Sequence, residues 1–176
     1  NSSATIEVSK TVNGDPGTAN TFTWNHAVGM WARLAPGCHE KAWWLVHPTV
    51  LPQCLTMHAV IENVAGSENV GGFQPAAVFQ AGGPTGYQLL GRPVVVTSRV
   101  STLSSKGDVI LVDPTQYAVG IRQGITIDRS PHVYFSSDQV AVRGKFRGDG
   151  LPLWETTRTL QDGSTTVSPF VVLADR

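Results

Sequence analysis

Trp43-Trp44-Leu45-Val46 is a continuous apolar run of strand length, stopped by Pro48. A run without polar alternation is buried on both faces, so it marks the centre of a sheet with further layers packed on it. The preceding stretch supplies one such layer. Within residues 21–35, Trp24, Ala27, Val28, Trp31 and Leu34 recur at steps of three and four, which predicts an amphipathic helix. Asn20 or Thr21 is placed to cap its start, and Pro36-Gly37 to end it with the glycine as C-terminal cap. Residues 49–57 read as a short helix with Val50, Leu51, Cys54 and Leu55 inward. Residues 30–48 are thus a junction where a helix hands over to a sheet, and the strand–helix alternation is an α/β signal.

From Leu89 onward the pattern is β. Leu89–Val96 and Asp108–Val112 read as two more apolar strands. A three-residue loop, Arg122-Gln123-Gly124, is expected to pair Ile121 with Ile125, with Gly124 in the left-handed conformation. A second hairpin turns at Ser136-Ser137-Asp138-Gln139 and pairs Phe135 with Val140. Its later strand sets Val140, Val142 and Phe146 on one face and Arg143, Lys145 and Arg147 on the other. Asp149-Gly150 and Asp162-Gly163 read as turns. Val167–Leu173 reads as a last strand, at an edge because of Pro169. Before this β half, glycines punctuate residues 62–88, a length of loop that is usually functional or mobile. Ile6 and Val8 alternate within a polar N-terminal segment, residues 1–17.

Bulk composition excludes several classes. The 176 residues include 13 basic and 13 acidic ones, for a net charge of zero, so nothing marks an electrostatic grip on nucleic acid or an anionic membrane. No apolar run approaches the ~18 residues of a membrane span. The two cysteines, Cys38 and Cys54, form no secreted-type framework and read as reduced thiols of a cytoplasmic product. The chain begins at Asn1, which reads as a fragment or a processed product.

Candidate chemistry is sparse. Cys38, His39, His47, Cys54 and His58 are the best metal candidates, with Cys54 and His58 four apart. They lack Cys-x-x-Cys or His-Glu-x-x-His spacing, and a core thiol with loop histidines is the simpler reading. Trp24, Trp31, Trp43 and Trp44 fall on inward patterns, which favours packing over a sugar platform, while Trp154 is placed as a surface anchor. There is no Gly-x-Ser-x-Gly elbow, and Gly82-Gly83-Pro84-Thr85-Gly86 lacks the lysine of a phosphate loop. Asp15, Asp108, Asp113, Asp138, Asp149 and Asp162 are explained by turns. The Arg143, Lys145, Arg147 row could meet a phosphate backbone, though alternate basic residues on a wet strand are usually solvated or paired. We therefore expect no catalytic, cofactor-binding or metal residue.

Several blocks in order carry a resemblance. Met30-Trp31-Ala32-Arg33-Leu34 is followed by Ala42-Trp43-Trp44-Leu45-Val46-His47-Pro48, then Leu90-Gly91-Arg92-Pro93-Val94-Val95, then Gly107–Asp113 with Gln116-Tyr117. Phe146–Trp154 and Ser168–Leu173 complete the series. Together they resemble the major capsid (head) proteins of tailed bacteriophages, with the Hong Kong 97 type of fold.

The resemblance implies an α+β fold, a central mixed sheet flanked by helices plus a long β-ribbon. It covers the C-terminal half of such a protein, so an N-terminal arm, an extended loop and most of a spine helix would precede residue 1. Residues 18–128 would form the axial domain, with the loop at 62–88 toward the centre of a ring, and residues 129–176 part of the peripheral domain. The implied function is structural: pentamers and hexamers of the chain build an icosahedral shell around a genome, with scaffold, protease and portal proteins as further partners. DNA would be met only indirectly, and no membrane. The implied location is the virion, and the host bacterial cytoplasm during assembly. Residues 129–176 contain no asparagine, so no crosslinking chemistry carries over. A nanocompartment shell of the same fold is the near alternative. A zinc-binding enzyme or a sugar-binding module is the distant one.

Overall fold

The computed structural model describes residues 2–11, 19–57, 79–80 and 86–176. The chain divides into two compact units, Asn1–Gln116 with Trp154–Arg176, and Tyr117–Leu153. The expected ranges 18–128 and 129–176 divide the chain differently: the second unit starts at Tyr117, and Trp154–Arg176 cluster with the first. The stretch 62–88 lies outside the described residues apart from 79–80 and 86–88.

The first unit is built on a seven-stranded mixed sheet of order β1-β11-β6-β2-β5-β4-β3. Its strands are β1 (Thr5–Val8), β2 (Trp43–Val46), β3 (Phe79–Gln80), β4 (Tyr87–Leu89), β5 (Arg92–Val96), β6 (Val109–Val112) and β11 (Phe170–Leu173). The apolar run Trp43–Val46, β2, is the central strand, parallel to β5 and antiparallel to β6. Alternation then sorts side chains. Trp44 and Val46 align with Leu111, Val109 and Val94 on the buried face, while Trp43 points the other way and is 46% exposed. β2 is therefore buried on one face rather than both. The Trp44 indole is fully covered, and its N–H donates to the Leu89 carbonyl at 3.1 Å. β1, from the polar N-terminal segment, is an edge strand with Ile6 and Val8 buried.

Helix α1 (Trp24–Arg33) packs on this sheet, but by a different face than the spacing predicts. Phe22, His26, Ala27, Met30 and Leu34 are buried, and Trp24 and Trp31 lie at the margin of the core. The cap is Thr23, not Asn20 or Thr21. His26 stands where a capping box has Glu or Gln, and its Nδ1 accepts the Thr23 N–H at 3.0 Å. Its Nε2 then donates to the Lys10 carbonyl at 2.7 Å. The helix ends at Arg33, before Pro36-Gly37. Leu34 is already extended and bridges to Ser168, and Ala35 N–H and Ser168 N–H complete the pairing. This backbone exit replaces the glycine cap. In α2 (Leu51–Leu55) Cys54 is buried as expected, whereas Leu55 is exposed.

Two further expectations are corrected, and a third holds. Leu89–Val96 is two strands, because Leu90 (φ 52) and Gly91 (φ 71) form a two-residue left-handed turn that pairs Leu89 with Arg92. The last strand, β11, lies between β1 and β6 rather than at the edge. Pro169 precedes it, so no ladder hydrogen bond is lost. A short hairpin, β9 (Arg158–Thr159) with β10 (Thr166–Val167), holds the expected Asp162-Gly163 turn.

The second unit is one antiparallel ribbon, β7 (Tyr117–Tyr134) with β8 (Gln139–Pro152). Arg122-Gln123-Gly124 does not turn the chain. It is absorbed as irregularities between Ile121 and Thr126, and Gly124 does not take a positive φ. The cause is β8, long enough to pair with the whole of β7 and so favour one continuous ladder over two hairpins. The tip is a four-residue loop, one residue earlier than expected, pairing Tyr134 with Gln139 and placing Asp138 at φ 50. Asp149-Gly150 lies inside β8, not in a turn.

Candidate assembly surfaces

The first unit offers little that converges on a reacting atom. Cys38 and Cys54 are free, buried thiols. Burial first, and Asp113 second, pushes Cys38 up to about 11, while burial and then Asp108 push Cys54 up to about 12. Such thiols stay protonated and make poor ligands or nucleophiles at neutral pH. Among the described residues no three His, Cys, Asp or Glu side chains gather as a metal site, and His58 lies outside them. His39 packs against the Trp31 ring at 4.6 Å. His47 Nδ1 accepts the Thr49 N–H at 3.2 Å, as a loop histidine.

Of the tryptophans, Trp43 rather than Trp154 is the exposed one. Trp154 is half-buried, donates to Gln116 Oε1 at 3.1 Å, and carries the Arg158 guanidinium 4.4 Å from its ring centre. A concavity of about 480 Å³ lies beside β1, lined by Glu7, Arg99, Lys106, Ile110 and Val172 among others. Lys106 and Glu7 are ion-paired there. That leaves a shallow, mixed-charge surface.

Sequence reasoning missed the most buried charge pair. Arg176 donates to Asp108 through Nη1 at 2.9 Å and Nη2 at 2.5 Å, and both side chains are 0% exposed. Ser104 N–H also donates to Asp108 at 3.1 Å. Asp108 reads as a turn residue from sequence, and no local spacing links it to a residue 68 positions away. Asp113 does cap its turn, accepting from the Thr115 N–H and hydroxyl at 2.9 and 2.7 Å. Asp162 accepts from Ser164 and Thr165, which holds it down at about 2.

Among the described residues, most of the exposed large apolar side chains lie on the ribbon. Pairing Ile127 with Gly144 and Asp128 with Arg143 assigns its two faces. One carries Val119, Ile121, Ile127, Val140, Val142 and Phe146, with Val119 69% and Ile127 68% exposed. The other carries Asp128, Arg143, Lys145 and Arg147. Asp128 lies 3.1 Å from both Arg143 Nη2 and Lys145 Nζ, and these bonds hold its carboxyl below the usual range. Two of the three bases considered for nucleic acid are thus engaged within the ribbon. A two-stranded ribbon is marginal in water by itself, and exposed apolar patches are in general where further surfaces pack.

Comparison with known proteins follows the same direction. The phage capsid family matches over residues 3–154. Among solved structures, the capsid of an empty GTA particle, computed with C5 symmetry, superposes with a TM-score of 0.59 at 15% identity. The match covers 95% of this chain and 48% of that one, so the chain spans about half the length of the capsid chain it matches. At that identity the likeness is one of fold. No curated protein matches the chain.

Proposed function

The chain belongs to the phage capsid family, and from that premise we propose that it is a subunit of an icosahedral shell whose function is geometric rather than catalytic. Its central mixed sheet with helices and its long ribbon form the α+β arrangement of the Hong Kong 97 type of fold. In this reading the seven-stranded unit is the axial-type domain and the ribbon is part of the peripheral-type domain. The observation that carries the reading is the ribbon's apolar face, exposed along its length in the single chain. Closed symmetric shells are made by such surfaces and need no pocket.

The partners proposed are other copies of the chain in pentamers and hexamers, with scaffold, protease and portal proteins during assembly in the host cytoplasm. The enclosed genome is met indirectly. Among the described residues no helix is long and apolar enough to cross a membrane. Expression of the encoding gene, sedimentation of the lysate and nuclease treatment test the reading. Fast-sedimenting particles containing this polypeptide and nuclease-protected DNA support it. Protected phage sequence marks a virion, and protected host fragments mark a gene-transfer particle. Particles filled with an enzyme point to a nanocompartment. A polypeptide that stays monomeric at all concentrations contradicts the reading.

A further inference from the structure

We propose that residues 168–176 form a strap that decides whether β1 is held on the sheet: β11 can stay closed without β1, but β1 cannot stay closed without β11. This concerns the first unit alone and goes beyond the shell-subunit reading without depending on it.

The strap is held on two sides and β1 on one. Among the described residues, β1 has a single ladder partner, β11, with Thr5 to Val8 in register with Phe170 to Leu173. The Ala174 N–H extends that ladder to the Val8 carbonyl at 3.0 Å, and the Ser168 hydroxyl donates to the Ala4 carbonyl. β11 has a second ladder, to β6. The Gly107 N–H donates to the Leu173 carbonyl and the Asp113 N–H to the Pro169 carbonyl, each at 3.0 Å. Ser168 also pairs with the exit of α1 through Arg33 and Ala35.

Loss of β11 therefore strips β1 of its sheet bonds. What remains is the burial of Ile6 and Val8, the bond from His26 to the Lys10 carbonyl, and the bonds of Ser3 with Glu155 and Thr157. A strand kept under α1 on those terms would bury backbone N–H and C=O groups without partners, so β1 leaves with the strap. The converse does not hold, because β11 keeps β6 when β1 is gone.

The strap also resists partial release. The Arg176 and Asp108 side chains are both 0% exposed, so withdrawing Arg176 alone strands a buried carboxylate. Beside them the Arg176 N–H donates to the Ser104 carbonyl at 3.2 Å, and the Lys106 N–H donates to the Asp175 carboxylate. The segment thus opens along its length or stays shut. Opening turns β6 into the edge of the sheet and bares its backbone groups for pairing.

Hydrogen–deuterium exchange of the full chain tests this, read by mass spectrometry on peptides spanning β1, β11 and β2. In the unaltered protein at low urea, β2 should be the most protected and β1 no more protected than β11. Arg176→Lys keeps the charge and loses the two-pronged bond to Asp108. It should raise exchange of β11 and β1 together, by about tenfold, and of β2 by less. Ile6→Ala should raise exchange of β1 and leave β11 as it was. The proposal is overturned by a β1 more protected than β11, or by an Arg176→Lys protein in which β11 loosens and β1 does not. Equal increases in all three strands, or a β11 that loosens as much as β1 in Ile6→Ala, overturn it too.

Discussion

At the scale of single residues, the charges that matter are structural. The Asp108–Arg176 pair joins the β6 entry to a residue 68 positions on through two charge-assisted hydrogen bonds between fully buried side chains. Removing one partner strands the other. Arg176→Ala should cost about 3–5 kcal/mol in urea unfolding. Asp108→Asn with Arg176→Met should cost clearly less than the sum of the single changes. Additive losses would show that the pair is not a unit. Cys54 gives a second readout. Its thiol keeps its proton up to about pH 12 in the fold, against a reference of 9.0. Between those values the unfolded chain binds fewer protons, so stability is full below pH 9 and falls as pH rises through the window. Cys54→Ala should lessen that alkaline slope and leave the part due to Cys38, and native-state labelling of Cys54 by a thiol reagent at pH 8 should be limited by opening of the core. Immediate labelling of Cys54 would refute its burial.

At the scale of elements, local pattern was informative wherever the next partner is close in sequence. The apolar run of β2, the helix near residues 21–35 and the four-residue ribbon tip follow from periodicity and length. What failed was decided by distant partners. The inward face of α1 was set by the strands under it. The end of α1 was set by Ser168, over a hundred residues on. Arg122-Gln123-Gly124 has the composition of a hairpin loop, yet the length of β8 overrules it. Left-handed backbone shows the same divide. Gly91 has φ 71 and open space around its missing Cβ, so Gly91→Ala should cost about 1 kcal/mol from backbone strain alone. Gly124 has open space and no positive φ, so Gly124→Ala should be near neutral or slightly stabilising. Thermal melts of the two variants compare them directly, and a costlier Gly124→Ala would restore the hairpin. Gly150→Ala should displace the Tyr117 ring and forfeit about 1 kcal/mol with its hydrogen bond.

At the scale of the molecule, the sequence disclosed the kind of protein before it disclosed any surface. Ordered blocks from Met30–Leu34 to Ser168–Leu173 pointed to a capsid fold, and the family match over residues 3–154 agrees. The apolar face of the ribbon was half legible. Alternation placed Val140, Val142 and Phe146 together, but only the full ladder added Val119, Ile121 and Ile127 and left the whole row in solvent. Exposure depends on what else the chain folds against it, which one strand's pattern does not encode. The most direct measurement of the central claim is a cryo-electron reconstruction of particles formed when the gene encoding this sequence is expressed. The expected result is a closed icosahedral shell in which Val119, Ile127, Val142 and Phe146 are covered by protein. A particle-free, monodisperse monomer, or a shell that leaves this face in solvent, would contradict it.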